Sequence, residues 1–182
     1  MIKYSTHIFL LLTIFLFISC GTGEQTATTT AKSVSTHGQS GVVDDESKMH
    51  ILAIALSSPD HTTLVAGVKA AELENVLVNP GPLTVFAPTN AAFDKLPPGT
   101  LEDLLKPENK SKLYRIITSH AAPGTFEVDD LKDGIPLYMA TGHSVDVEVK
   151  DGKTYVNGIE ILASIDASNG VVHVVDEVFL LD

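Results

Sequence analysis

The spacing of apolar residues changes once along this chain of 182 residues, and that change limits the folds open to it. In the first part of the sequence after residue 48, bulky apolar side chains recur every three or four positions, the period of one helix face. Met49, Leu52, Ala53 and Leu56 make one such set, which Ser57-Ser58-Pro59-Asp60 interrupts. Leu64, Val65, Val68 and Ala71 make a second, expected to run through Leu73 into Val76-Leu77 until the turn residues Asn79-Pro80-Gly81-Pro82. A short buried strand is expected at 83–87, then a helix over 91–96 that Thr89 or Asn90 can cap through a side-chain oxygen. Two further helices are expected at 100–105 and 107–119, the second with Pro107 already set for its first turn.

From Ser144 onward the period is two. Ser144-Val-Asp-Val-Glu-Val-Lys150 places Val145, Val147 and Val149 on one face and the acids on the other. Asp151-Gly152, Asn157-Gly158 and Asn169-Gly170 are hairpin turn signals, the last read as supplying the positive φ angles of a tight turn. Val171-Val-His-Val-Val175 is apolar on both faces, as a strand sandwiched inside a core must be. Helices first and antiparallel strands later give an α+β domain over 48–182, without internal repeats.

The N-terminus has a different texture. Lys3 precedes an apolar run, residues 8–18, that ends at Ser19 and at Cys20, the only cysteine. Eleven helical residues reach ~17 Å, well short of a ~30 Å hydrocarbon core, so residues 1–19 read as a cleaved secretory signal and not as a permanent span. With Cys20 directly after Phe17-Ile18-Ser19, the segment resembles a bacterial lipoprotein signal, carrying Phe17 where leucine is usual. That resemblance implies acylation of Cys20 and an exported protein anchored by lipid, with the membrane as a partner through that anchor alone. Gly21 stands where an aspartate would resemble an inner-membrane retention signal, which points to the outer membrane. Residues 20–47, rich in Thr, Ser and Gly with Val34 alone among bulky apolar residues from 21 to 41, cannot bury enough surface to order themselves and read as a flexible tether.

The balance of 23 acidic against 12 basic residues argues against binding nucleic acid, where Lys and Arg clusters supply the affinity. Beyond Cys20 there is no cysteine, so no internal disulfide stabilises the domain and burial alone must. Catalytic patterns fail on inspection. Gly142-His-Ser-Val-Asp146 approaches a nucleophile elbow, but Asp146 replaces the closing glycine. Gly152-Lys153-Thr154 ends like a phosphate loop, yet Val147 stands where its first glycine belongs. His37, His50, His61, His120, His143 and His173 include no helical i, i+4 pair, and Asp129, Asp130 and Asp133 lack calcium-loop spacing. No catalytic residue, metal or cofactor is expected.

Three stretches carry a family likeness. Thr84-Val-Phe-Ala-Pro-Thr-Asn-Ala-Ala-Phe93, then His120 before a Pro-Gly pair, then Asn169-Gly-Val-Val-His-Val-Val-Asp-Glu-Val-Phe-Leu180 together resemble the fasciclin domain across 48–182. The resemblance implies a helical layer on a mainly antiparallel β-sheet wedge, extracellular adhesion or matrix interaction, and no enzyme. Its motif residues, Thr84, Phe86, Pro88, Thr89, Asn90, Phe93, His120, Asn169, Gly170 and His173, read as structural. Asn90 is a helix cap, and His120 and His173 are hydrogen-bonded core histidines. The chain departs from the family at two places. Ser119 stands where tyrosine is usual before His120. Ser164-Ile165 stands where animal members carry the Asp-Ile pair credited with integrin binding, so integrin recognition is not expected. Asp166, two residues on, remains a possible interaction residue.

These features point to a membrane-anchored adhesion or interaction module of a bacterial cell envelope. It would be non-catalytic and bind a surface protein or polysaccharide weakly and multivalently. The alternative is an envelope receptor for a small ligand or glycan, which requires a concave apolar cavity with a few converging polar groups.

Overall fold

The structure, a computed structural model, describes residues 48–180. The expected signal at 1–19, the expected lipid attachment at Cys20 and the expected tether at 20–47 lie outside the described residues.

The helical half opens with α1 (Ile51–Ser57), capped by His50, whose Nδ1 accepts the Ala53 N–H at 3.1 Å. After a 3₁₀ turn at Pro59–His61 comes α2 (Thr62–Ala70). The apolar pattern that continues through Leu73 does not form one helix. Glu72 takes a left-handed conformation (φ 57°), Leu73 N–H bonds back to Val68 O at 3.0 Å and Glu72 N–H to Lys69 O at 3.0 Å. This is a Schellman stop, with Leu73 and Val68 in its hydrophobic contact positions and buried in the same core. A separate α3 (Glu74–Val78) follows. Three more helices complete this half: α4 (Asn90–Asp94), α5 (Thr100–Leu104) and, after a 3₁₀ turn at Pro107–Asn109, α6 (Lys110–Ser119).

One six-stranded sheet runs in the order β2-β1-β8-β7-β6-β5. Its strands are β1 (Leu83–Pro88), β2 (Ala121–Pro123), β5 (Val147–Lys150), β6 (Lys153–Val156), β7 (Ile159–Ala167) and β8 (Gly170–Val175). All neighbours are antiparallel except β1 and β8, which pair in parallel from Leu83↔Gly170 to Pro88↔Val175. The short strands β3 (Leu137–Tyr138) and β4 (Ser144–Val145) form their own ladder. The alternating run at 144–150 is therefore two strands and not one. The chain changes sheets at Asp146, whose carbonyl accepts the Asn157 N–H at 2.8 Å. Val145 and Val147 are buried, but Val149, expected on the same face, is 42 % exposed beyond the edge of the core.

Because side chains alternate across a strand, β1 and β8 divide two cores. Val85, Ala87 and Val172 face the helices and pack with Ile51, Leu52 and Val68. Phe86 and Val175 face the other way, onto Val147, Val156 and Phe179. Each fully buried Val, Leu, Ile or Phe side chain among these contributes about 2 kcal/mol. The two central strands approach so closely at their start that Gly170 (φ 150°) has no room for a side chain: a Cβ there would lie 1.7 Å from the Leu83 carbonyl oxygen. Gly134 (φ 72°) has an unusual angle but nothing within 4 Å of its Cβ position. Replacing Gly170 with Ala should therefore cost about 4 kcal/mol or more in urea unfolding, against about 1 kcal/mol for Gly134→Ala. Equal costs would mean that backbone angle, and not the approach of β1, makes glycine necessary at 170.

Candidate functional site

The ten motif residues converge on the β1–β8 seam and its surroundings, where most of their polar atoms bond to other parts of the fold. On β1, Thr84 is fully buried; its Oγ1 donates to Gly124 O and accepts from Phe126 N–H, both at 2.9 Å, which ties down the loop after β2. Phe86 and Pro88 are also fully buried, and Phe93 packs half-buried against the helical core. Thr89 caps α4, its Oγ1 accepting the Ala92 N–H at 3.3 Å. Asn90 does something else. Its Oδ1 accepts the Thr63 N–H at 2.9 Å and the Thr62 hydroxyl at 3.2 Å, and its Nδ2 donates to Pro59 O at 3.0 Å. It thus caps the start of α2 from a distance and not the helix it begins, because Thr89 already supplies the local cap.

Asn169 is not the left-handed turn residue that its Asn-Gly dipeptide suggests; its neighbour Gly170 alone has a positive φ there. Its side chain is a clamp. Oδ1 accepts the Ile51 N–H at 3.0 Å, and Nδ2 donates to Leu77 O and Asn79 O, each at 2.9 Å. One amide thus joins the β7–β8 turn to the start of α1 and the end of α3.

His120 and His173 lie buried on either side of the Phe86–Phe179 pair. The His120 ring stacks on Phe179 at 4.7 Å, and Phe86 lies 5.5 Å from Phe179 and 5.3 Å from His173. In His120, Nδ1 donates to Ile116 O at 2.7 Å, which leaves Nε2 to accept the Phe179 N–H at 2.8 Å. In His173, Nε2 donates to Phe126 O at 2.8 Å, so Nδ1 accepts the Ser164 hydroxyl at 2.7 Å. Both rings are neutral tautomers with both nitrogens committed. Burial pushes the His120 pKa down to about 4 and lowers that of His173, each only partly opposed by the backbone bond. Neither imidazole has a free nitrogen for metal binding or proton transfer. Ser119 is buried and its hydroxyl donates to Ile116 O at 2.6 Å.

The exposed features lie elsewhere. Ser164 donates its hydroxyl to His173, while Ile165 beside it is exposed. Asp166 is exposed and paired with Lys48 at 2.9 Å, beside a shallow cleft of about 380 Å³ that Glu127 and the Pro80–Pro82 turn also line. Among the described residues no group of three or more His, Cys, Asp or Glu side chains could hold a metal ion. A larger groove, about 510 Å³, lies between α5 and α6 and is also lined by Leu180. Sequence reasoning missed it. The signal available was Arg115, the only arginine in the chain.

The buried histidines make stability depend on pH. His120 titrates near 6.5 when unfolded and at about 4 when folded, so between those values the unfolded chain binds more protons. Its contribution is fully present above pH 6.5 and is lost as pH falls toward 4, about 3 kcal/mol in all. His173 adds a loss of the same sign. Urea midpoints taken from pH 7 to pH 4.5 should fall steadily. The His120→Gln variant should start less stable and fall less steeply; an unchanged slope would remove His120 as the cause.

The geometry can be set against known proteins. A family model described as the Fasciclin domain matches residues 59–181. The Synechocystis protein sll1483 is 48 % identical over 136 residues, covering 74 % of this chain and 75 % of that protein. A second Synechocystis protein, sll1735, is 41 % identical over 132 residues; the match covers 72 % of this chain and 98 % of that protein, so a relative exists that consists of little beyond this domain. Among solved structures, the FAS1 domain pair of the insect cell adhesion molecule Fasciclin I superposes with a TM-score of 0.66 at 20 % identity, covering 74 % of this chain and 51 % of that one. The motif residues, their shared seam and these matches agree: the chain belongs to the fasciclin domain family.

Proposed function

We propose that this chain is a lipid-anchored adhesion or interaction module of a bacterial cell envelope, non-catalytic, which binds a surface protein or polysaccharide weakly and in many copies. The observation that carries this reading is that the motif side chains turn inward. His120, His173, Asn169 and Thr84 are buried and bonded to the fold, so recognition falls to the outer surface. The fasciclin family is associated with adhesion, and the solved relative is itself named a cell adhesion molecule. The N-terminal segment supports anchoring through Cys20, with residues 20–47 holding the domain clear of the membrane.

A single domain with weak contacts becomes effective when many anchored copies meet one surface, since linked binding raises avidity by about 10²–10⁴ without any new contact. Beads densely coated with the domain should therefore capture envelope polysaccharide or neighbouring cells at least about a hundredfold more tightly than the domain does in solution. Equal apparent affinity in the two formats would remove multivalency, and no capture at any density would remove adhesion. Anchoring is checked separately. The full chain should enter the detergent phase on cloud-point extraction after expression in a bacterium, and the Cys20→Ser variant should not. Equal partitioning of both would exclude the lipid.

A further inference from the structure

The groove between α5 and α6 has a composition unlike the rest of this acidic surface. Six of the lysines, Lys48, Lys95, Lys106, Lys110, Lys150 and Lys153, are paired with carboxylates. Lys112 and Arg115, one helical turn apart on α6, have no ion-pair partner among the described residues, and both line the groove. The other polar lining residues are Thr100 and Ser111, whose hydroxyls can donate. Among the described residues no acid lines the groove. Asp103, whose carboxyl also feels Lys112, is already bound by Lys106 at 2.9 Å and Asn109 at 3.0 Å. The remaining walls are aliphatic: Leu104 and Ile116 from the two helices and Leu180 from the segment after β8, which is 54 % exposed.

Cations without an ion-pair partner among the described residues, beside an aliphatic wall on which Leu180 is exposed, Ile116 half-buried and Leu104 buried, match a ligand with an anionic head and an apolar tail. A carboxylate suits the head because a guanidinium fork can bind both of its oxygens. The volume, about 510 Å³, lies within the ~300–1,000 Å³ usual for small-molecule sites. We propose that this groove binds a small amphiphilic carboxylate, its head on Arg115 and Lys112 and its tail along Leu104, Ile116 and Leu180. The inference is independent of the adhesion reading, which needs no pocket, and either can fail without the other.

The test uses the domain from Lys48 onward, since both cores close within it and sll1735 is little more than this domain. Octanoate is titrated into labelled protein and followed by amide chemical shifts, with octanol, acetate and octylammonium as matched probes. Octanoate should bind saturably with a Kd on the order of 1 mM or tighter. Its shifts should map to α5, α6 and Leu180, and acetate, octanol and octylammonium should each bind at least about tenfold more weakly. Lys112→Gln with Arg115→Gln should weaken octanoate by about tenfold or more and leave the thermal midpoint in place, since both side chains are exposed. Ile116→Ala should weaken octanoate with little effect on acetate. Removal of residues 181–182, which carry an apolar and an acidic side chain of their own, should leave affinity unchanged. The proposal is overturned by octanol matching octanoate, by an unaltered affinity in the double variant, by shifts that map elsewhere, or by no saturation. A tenfold gain on removing residues 181–182 would give the groove to the chain's own end and overturn it equally.

Discussion

Both hydrophobic cores of this domain hang on the parallel pairing of β1 with β8. The two strands are separated in sequence by α4–α6 and β2–β7, and joining them closes the whole segment from Leu83 to Gly170 into one loop. Closing a loop of that length has an entropic cost that no single contact offsets. The pairing is therefore reinforced where β8 begins. Gly170 lets the Leu83 carbonyl come against its Cα, and Asn169 beside it bonds to the start of α1 and the end of α3. With that seam in place, alternate residues of β1 send Val85 and Ala87 to the helices and Phe86 to the wedge.

The same economy explains why the most recognisable residues of the family carry no chemistry. A buried polar atom left unbonded costs more than its bond would contribute, so buried polar side chains here are bonded, with His61 Nε2 the exception among the described residues. His120 and His173 satisfy both ring nitrogens with backbone groups and one serine, and His120 stacks on Phe179 while His173 packs tilted against Phe86. A histidine held neutral in this way joins segments distant in sequence: His120 ties the end of α6 to Phe179 after β8, and His173 ties β8 to the loop at Phe126. Family membership thus records a folding requirement, and what a member recognises is left to the surface built over it. On that surface most lysines sit in exposed ion pairs, each worth about 0–1 kcal/mol, so the ion pairs hold little of the structure together. Lys112 and Arg115 on α6, without an ion-pair partner among the described residues, contrast with this background.

Much of the architecture was legible because it follows from neighbours in sequence. The periods of 3.6 and 2 located the helices and strands, and Asp151-Gly152 and Asn157-Gly158 adopt the paired positive φ angles (53° and 75°, 53° and 77°) that their chemistry favours. Expectations failed where a bond or packing contact outside the simple periodic pattern overrode a residue's preference. The long apolar pattern at 64–77 hid a stop at Glu72, a residue that does not ordinarily favour the left-handed conformation, held there by the Schellman bonds and the Val68–Leu73 contact positions. Asn169-Gly170 has the letters of a tight turn, but the amide of Asn169 is claimed by α1 and α3 instead.

By itself the sequence determined the α+β class, the two textures, the hairpin turns and the family, because each depends on side chains within one helical turn or one strand pair of each other. Only the tertiary structure decided that β1 and β8 run parallel, that Asn90 caps α2 across 27 residues, and that the alternating run at 144–150 breaks at Asp146 and leaves Val149 outside. It also decided that Thr100, Lys112, Arg115 and Leu180 share one groove. Spacing along a chain specifies which face a residue occupies, but not which distant face will meet it; that is settled when burial of the two cores brings the segments together.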